Sequence, residues 1–323
     1  MNKLQRILIV ILGLQLALGV FVFWPRPVAS GAGQALLGEL KAEEITGLTI
    51  AGEQGVSTRL VKSGDGWTAP DAGGYPADAS KIAPVLDKLI AIKTGKPIAQ
   101  TPASQAQLQV SDGKFVRKVE LAKADGTATT VYLGSSGGSQ AVHVRLGGQD
   151  EVYLASGLAT WEIDANLLSW IDPVYLAVAA ADITSFTLKN QQGEFNLTKD
   201  GQGAWQLAGL ESGETLDANK ATTLVNSVTS LRMTEPLGKT EDAAWGLAQP
   251  SATVTLQVKS GDQAKTITLA VGAKDATDNS YVVKSSESEY YARVAEFSMQ
   301  ELVGRDRAGF LVATPTPAPA ATP

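Results

Sequence analysis

A chain of 323 residues, 44% hydrophobic and 19% charged, is long enough for two domains that each bury a core, and its composition excludes a wholly disordered protein. The net charge of −6 is spread without a Lys/Arg cluster, which argues against a nucleic-acid footprint or a polybasic lipid-binding patch. The absence of cysteine excludes disulfides, thiolate metal ligands, a cysteine nucleophile and a lipid-modified cysteine anchor.

Residues 1–6 carry Lys3 and Arg6, and the 18 residues Ile7 to Trp24 that follow have no charge. Such a run is close to the roughly 20 residues needed to cross a hydrocarbon core about 30 Å thick. It is expected to be a single transmembrane helix contacting the membrane through Ile7–Trp24, with the N-terminus cytoplasmic because positive charge precedes it. Phe21, Phe23 and Trp24 suit the outer interface, and Pro25 and Pro27 stop the helix. The alternative is a signal peptide cleaved near Val28-Ala29-Ser30. Residues 25–44 read as a spacer.

Three short antiparallel strands follow, over Ile45 to Ile50, Val56 to Val61 and around Trp67, with Gly64-Asp65-Gly66 as a turn. Ile82, Val85, Leu86, Leu89 and Ile92 then fall at helical spacing. Asp78 or Ser80 can cap this helix, and Pro84, which must sit near the first turn, favours Ser80. After a polar connection over Thr94 to Gln107, a meander of strands is expected at Val116 to Leu121, Thr129 to Leu133, Ala141 to Leu146 and Glu151 to Leu154. Thr160 to Ile171 reads as a short helix ending before Asp172-Pro173.

The order then recurs. Trp67 and Trp205 lie 138 residues apart, and Asp78-Ala79-Ser80-Lys81 is echoed 139 residues on by Asp217-Ala218-Asn219-Lys220. Ile183 to Leu188, Glu194 to Thr198 and Trp205 to Leu207 answer the first strands, and Asp217 to Leu231 answers the helix. Thr253 to Val258, Thr266 to Val271, Tyr281 to Val283 and Tyr290 to Val294 answer the meander. Matching landmarks are Gly134 with Gly272, His143 with Tyr281, Tyr153 with Tyr291 and Asp172 with Asp306; Ser298 and Glu301 form a capping box. The fold class is therefore α+β: tandem repeats of mainly antiparallel strands with a few short helices, over 45–176 and 177–311, joined near Asp172 to Ala181, behind one transmembrane helix. Residues 312–323, rich in Thr, Pro and Ala, are expected to be a disordered tail.

Gly66-Trp67, Tyr75-Pro76-Ala77-Asp78-Ala79-Ser80-Lys81 with Leu86 and Leu89, Tyr132-Leu133-Gly134 and Val152-Tyr153-Leu154 together resemble the family catalogued as domain of unknown function 4340 (DUF4340). The resemblance covers most of residues 45–310, and the second copy departs from it by lacking the Tyr-Pro pair. It implies an N-terminal anchor and an extracytoplasmic domain, in some members beside ABC-type export or gliding-associated systems, and it brings no catalytic residue.

The chemistry-bearing motifs are few. Gly134-Ser135-Ser136-Gly137-Gly138 matches a nucleophile elbow, but its strand-to-strand setting reads as a flexible hairpin loop, and a hydrolase would require Ser136 to meet His143, the sole histidine. Asp275, Asp278 and Asn279 offer oxygen ligands without the spacing of a calcium loop. Trp67 and Trp205 read as core residues, while Trp161, Trp170 and Trp245 are the candidates for a ligand platform. Asn196-Leu197-Thr198 is a glycosylation acceptor only in a host with that machinery. No catalytic, cofactor or metal residue is assigned. The expectation is a non-enzymatic, membrane-anchored extracytoplasmic scaffold or interaction protein, auxiliary to an ABC-type transporter; the alternative is a module binding an envelope glycan or small ligand, and the least favoured is a hydrolase.

Overall fold

The computed structural model describes residues 33–138, 140–261 and 263–312, with Gln15 alone before them. The span Ile7–Trp24, Gln15 apart, and the tail from residue 313 lie outside the described residues, among which no helix is long and apolar enough to cross a membrane.

The architecture is mostly antiparallel sheet with a few helices. β1 (Gln34–Ala35) is followed by β2 (Ile45–Gly52), β3 (Ser57–Ser63), β4 (Gly66–Ala69) and β5 (Tyr75–Ala77), then by helix Ala79–Ile90 and β6 (Lys93–Thr94), which pairs back on β1. A small hairpin of β7 (Val110–Ser111) and β8 (Lys114–Phe115) leads into β9 (Arg117–Lys123), β10 (Ala128–Gly138), β11 (Ala141–Leu146) and β12 (Val152–Ser156). These form an eight-stranded sheet in the order β12-β11-β10-β9-β2-β3-β4-β5.

The second half runs through β13 (Val174–Ala177), β14 (Ile183–Asn190), β15 (Gly193–Lys199), β16 (Trp205–Leu207), helix Ala218–Asn226, β17 (Ser230–Arg232) and β18 (Glu235–Gly238). It continues through β19 (Ala252–Ser260), β20 (Gln263–Lys274), β21 (Tyr281–Ser285), β22 (Tyr291–Val294) and helix Glu296–Gly304. Its sheet is ordered β16-β15-β14-β19-β20-β21-β22-β18, while β13 and β17 pair with each other as β1 and β6 do. Seven strands thus recur in the same order, from β4-β3-β2-β9-β10-β11-β12 to β16-β15-β14-β19-β20-β21-β22. The eighth differs: β5 flanks β4 in the first sheet, and β18 flanks β22 in the second.

Each sheet lays its apolar face on its helix. Ile82, Val85, Leu86 and Leu89 are buried against Ile45, Leu48, Ile50 and Leu60, and Leu224 and Val225 against Phe186, Leu188 and Leu197. Full burial of such side chains contributes about 1.5–3 kcal/mol each. Ile45 and Leu48, three residues apart, share a face because a register shift lies between Ile45 and Gly47. Trp67 and Trp205 sit at matching positions in the two cores.

Both helices begin with the same lock. The Asp78 amide donates to the Trp170 carbonyl at 2.7 Å and the Asp217 amide to Phe310 at 2.8 Å. Lys81 Nζ donates to the Ile171 carbonyl at 2.6 Å, and Lys220 Nζ to Leu311 at 2.8 Å.

Several local expectations are corrected. Asp78, not Ser80, is the first cap, accepting from the Ser80 amide, and Pro84 sits in the second turn, where its ring nitrogen leaves one helical bond unmade. The connection at Thr94–Gln107 holds helix Pro102–Gln107, started by a Thr101/Ser104 capping box. Thr160–Ile171 contains two separate 3-10 turns, Thr160–Glu162 and Leu167–Ser169, and the second-half helix ends at Asn226, leaving Leu231 in β17. Ser298 and Glu301 lie inside the last helix, whose N-cap is Ala295; Glu301 instead pairs with Arg305 one turn on. The end of the spacer is structured, with β1 paired and Leu36 and Leu40 buried. The joint is structured too, since Trp170 belongs to the first core while Ile171, Tyr175 and Leu176 belong to the second.

The landmarks also shift. Leu133 opposes Val144 as Val271 opposes Val283, which keeps Gly134 with Gly272 but places Val282 where His143 stands and Tyr291 where Val152 stands. Phe310 answers Trp170, so Asp172 and Asp306 are not equivalent.

Candidate functional site

The two sheets meet at Tyr75 and Tyr290. Tyr75, on edge strand β5, packs edge-on against Tyr290 with ring centroids 4.7 Å apart at 61°, and Tyr290 Oη donates to the Gly74 carbonyl at 2.9 Å. Tyr175 Oη donates to the Tyr290 carbonyl at 2.8 Å and accepts from the Ser285 amide at 2.9 Å. Gly73 has φ +67°, and a Cβ there would lie 2.6 Å from Gly238 Cα, so the backbones approach as only glycine permits. Burial, then the nearby Asp172 carboxylate, raises the Tyr75 pKa, which keeps the phenol neutral in this contact.

Beside this junction opens a cleft of about 500 Å³. Its first wall carries Thr58, Arg59, Asp71 and Asn166; its second carries Glu235, Asp278 and Arg293. Arg293 is a hub: Nη1 donates to Asp275 Oδ2 at 3.0 Å and Ser280 Oγ at 2.7 Å, Nε donates to Glu235 Oε2 at 3.1 Å, and Asp278 Oδ2 lies 3.8 Å away. Burial acts to lower the Arg293 pKa, but the bonds to Asp275 and Glu235 outweigh it and raise it. The Asp275 carboxyl is held low by the Thr277 amide and then by Arg293, the Asp278 carboxyl by the Ser280 hydroxyl and amide. Arg59 is exposed and has no carboxylate partner among the described residues, so the first wall offers a free cation facing an internally paired one. Thr58 is buried, its hydroxyl bound to the Ala165 carbonyl at 2.6 Å.

The residues singled out from sequence are not brought together here. Gly134–Gly138 is a continuation of β10 with two register shifts, not a flexible loop. Gly134 is required because a Cβ would lie 2.1 Å from the Leu108 carbonyl oxygen, and Gly272 because one would lie 2.1 Å from the Trp245 carbonyl oxygen. Ser136 Oγ bonds the Gly138 carbonyl, whereas it is Ser135 that touches the histidine: His143 Nδ1 is 2.8 Å from the Ser135 carbonyl oxygen and 3.1 Å from Ser135 Oγ. A carbonyl only accepts, so Nδ1 carries the proton and cannot take one from Ser135, whose hydroxyl donates to the Leu108 carbonyl at 3.2 Å.

Asp275 and Asp278 accept from turn amides and face Arg293, and among the described residues no cluster of three His, Asp or Glu suits a metal. Trp170 is buried with Nε1 on the Asp164 carbonyl, Trp245 lies against Tyr291 at 5.1 Å between centroids, and Trp161 is 76% exposed. Asn196 accepts from Thr187 Oγ1 within the sheet. Sequence reasoning missed Arg59 and Arg293; neither belongs to a motif, and Arg293 meets Glu235 only through the β18–β22 pairing.

The family described as Domain of unknown function (DUF4340) matches residues 67–250, from β4 of the first sheet to just before β19 in the second. No curated protein and no solved structure matches the chain. The match covers more than half of the 323 residues, and the chain belongs to the DUF4340 family.

Proposed function

We propose that this is a single-pass membrane protein, anchored through Ile7–Trp24, that displays two tandem copies of one α+β domain outside the cytoplasm and acts as a non-enzymatic scaffold or interaction subunit beside an ABC-type transport or export system. The observation that carries the reading is how the reactive groups are used. His143 is tied to a backbone carbonyl, Asp275 and Asp278 to turn amides and Arg293, and the Tyr75–Tyr290 junction joins the sheets into a two-lobed body. The recurring strand order and the matched Lys81 and Lys220 locks support duplication of one domain. The uncharged run before the first sheet supports the anchor.

Because the chain has no cysteine, its topology is testable with one introduced thiol. Glu53→Cys, at an exposed turn, is expected to react with a membrane-impermeant maleimide in intact cells. Labelling only after lysis sinks the extracytoplasmic placement.

A second reading, binding of an envelope glycan or small ligand, is favoured by the cleft with its free Arg59 and by exposed Trp161. Glycan-array binding lost in Arg59→Ala or Trp161→Ala would support it; a blank array would remove it.

A further inference from the structure

The two sheets differ at one edge, where the second has no strand in the place of β5 among the described residues. In the first sheet the edge of β4 is covered by β5, with Trp67 opposite Ala77 and Ala69 opposite Tyr75. In the second sheet β16 occupies the place of β4, and no strand lies beyond it among the described residues. The segment that corresponds to β5 has gone elsewhere: Leu216 bridges Leu311, and the Val312 amide donates to the Thr215 carbonyl at 2.9 Å.

The free edge can be assigned atom by atom. The Ala208 amide donates to the Asn196 carbonyl and the Asp200 amide to the Ala204 carbonyl, so Ala204, Gln206 and Ala208 are the residues that bond inward to β15. The N–H and C=O groups of Trp205 and Leu207 therefore point outward and have no partner among the described residues. Beside them is a groove of about 390 Å³ lined by Trp205, Ala218, Thr222 and Lys199. Lys199 Nζ lies 5.1 Å from the Trp205 ring centroid, is held by the Ala180 and Ala181 carbonyls, and has no carboxylate partner among the described residues. It is the one charged side chain lining the groove among the described residues.

We propose that the β16 edge is a docking site for an extended segment of a partner protein, which adds as an antiparallel strand with a small residue facing Trp205 and an acidic residue two positions on, on the same face, meeting Lys199. Main-chain bonds to Trp205 and Leu207 supply the pairing, as in strand addition generally, and the cation selects the acidic residue. The chain's own Tyr75-Pro76-Ala77, seated on the sister edge, sets the small residue, with Ala77 opposite Trp67. This inference rests on the interaction reading above and names the surface it uses.

The probe is the heptapeptide Gly-Gly-Tyr-Pro-Ala-Ser-Asp, residues 73–77 followed by Ser-Asp so that the acid stands two positions past the small residue, added to the full-length protein in detergent while amide hydrogen exchange is followed. The expected result is about tenfold slower exchange confined to the Trp205 and Leu207 amides. Protection is expected to weaken with Lys199→Glu and with a peptide whose aspartate is replaced by lysine. Absence of protection at saturating peptide overturns the proposal, as does protection indifferent to both charge changes. Protection that appears without peptide and grows with protein concentration would assign the edge to a second copy, which also overturns it. A membrane partner cross-linked elsewhere on the surface, with these two amides unprotected, would overturn this site while leaving the scaffold reading intact.

Discussion

Tyr75 and Tyr290 stand 215 positions apart in the chain and meet edge to face, with the Tyr290 hydroxyl closing on the backbone beside Tyr75 at Gly74. Tyr75, from the Tyr-Pro pair that is absent from the second half, is thus a residue that joins the halves. Tyr290→Phe removes one hydrogen bond and is expected to cost about 1 kcal/mol, and Tyr290→Ala about 2–4 kcal/mol by removing the ring contact as well. Urea denaturation is expected to give one transition for the native chain and two for Tyr290→Ala. A single unshifted transition would mean that the junction does not couple the sheets.

Lys81 and Lys220 perform the same task in the two cores, each anchoring a helix start to a carbonyl from the closing segment of its own half. Replacement by methionine keeps the stem and deletes the bond, at an expected cost of about 1–2 kcal/mol each. The sites share no partner, so the double variant should lose the sum. Chevron or equilibrium unfolding of the three variants measures this; strong non-additivity would show that the two locks are energetically linked.

Gly134 and Gly272 hold matched places where a carbonyl oxygen presses on the strand. Gly134→Ala and Gly272→Ala should each destabilise by about 1–3 kcal/mol, because the neighbour is backbone and yields only by shifting a strand or turn. Gly95, which has nothing within 4 Å of a built Cβ, serves as the control, and Gly95→Ala should leave the melting temperature unchanged.

The Arg293 hub sets an acid limit. Asp275 and Asp278 have folded pKa values below their unfolded ones, so their contribution is fully present above the ordinary carboxylate range and is lost as pH falls through the depressed folded values. The expected loss begins below about pH 4. Arg293→Gln removes part of the cause for Asp275 and should flatten the acid limb of a plot of melting temperature against pH. An identical limb in the variant would show that the turn amides alone hold the carboxylates.

Much of this fold could be read from alternation and spacing, because each sheet has one buried face and its strands keep a period of two. Trp67, Trp205, Leu86 and Leu224 fell at core positions for that reason. The helix starts were readable in type but not always in residue. Asp78 caps despite Pro84 because one missing bond in the second turn is tolerated when Lys81 and the Trp170 carbonyl already hold that end. Register was less legible: the connection from Lys274 to Tyr281 is one residue longer than that from Ser136 to Val142, a shift that counting along the chain misses at His143. The cleft was invisible, since Arg59 and Arg293 belong to different sheets and neither sits in a local pattern.

Whether the chain is an anchored interaction protein can be read by chemical cross-linking in native membranes followed by mass spectrometry of the species recovered with the full-length chain. The expected product is a defined membrane or envelope protein, foremost a transporter permease, joined through the exposed surfaces of the two-sheet body. Recovery of the protein alone, with cross-links only within the chain, would contradict it.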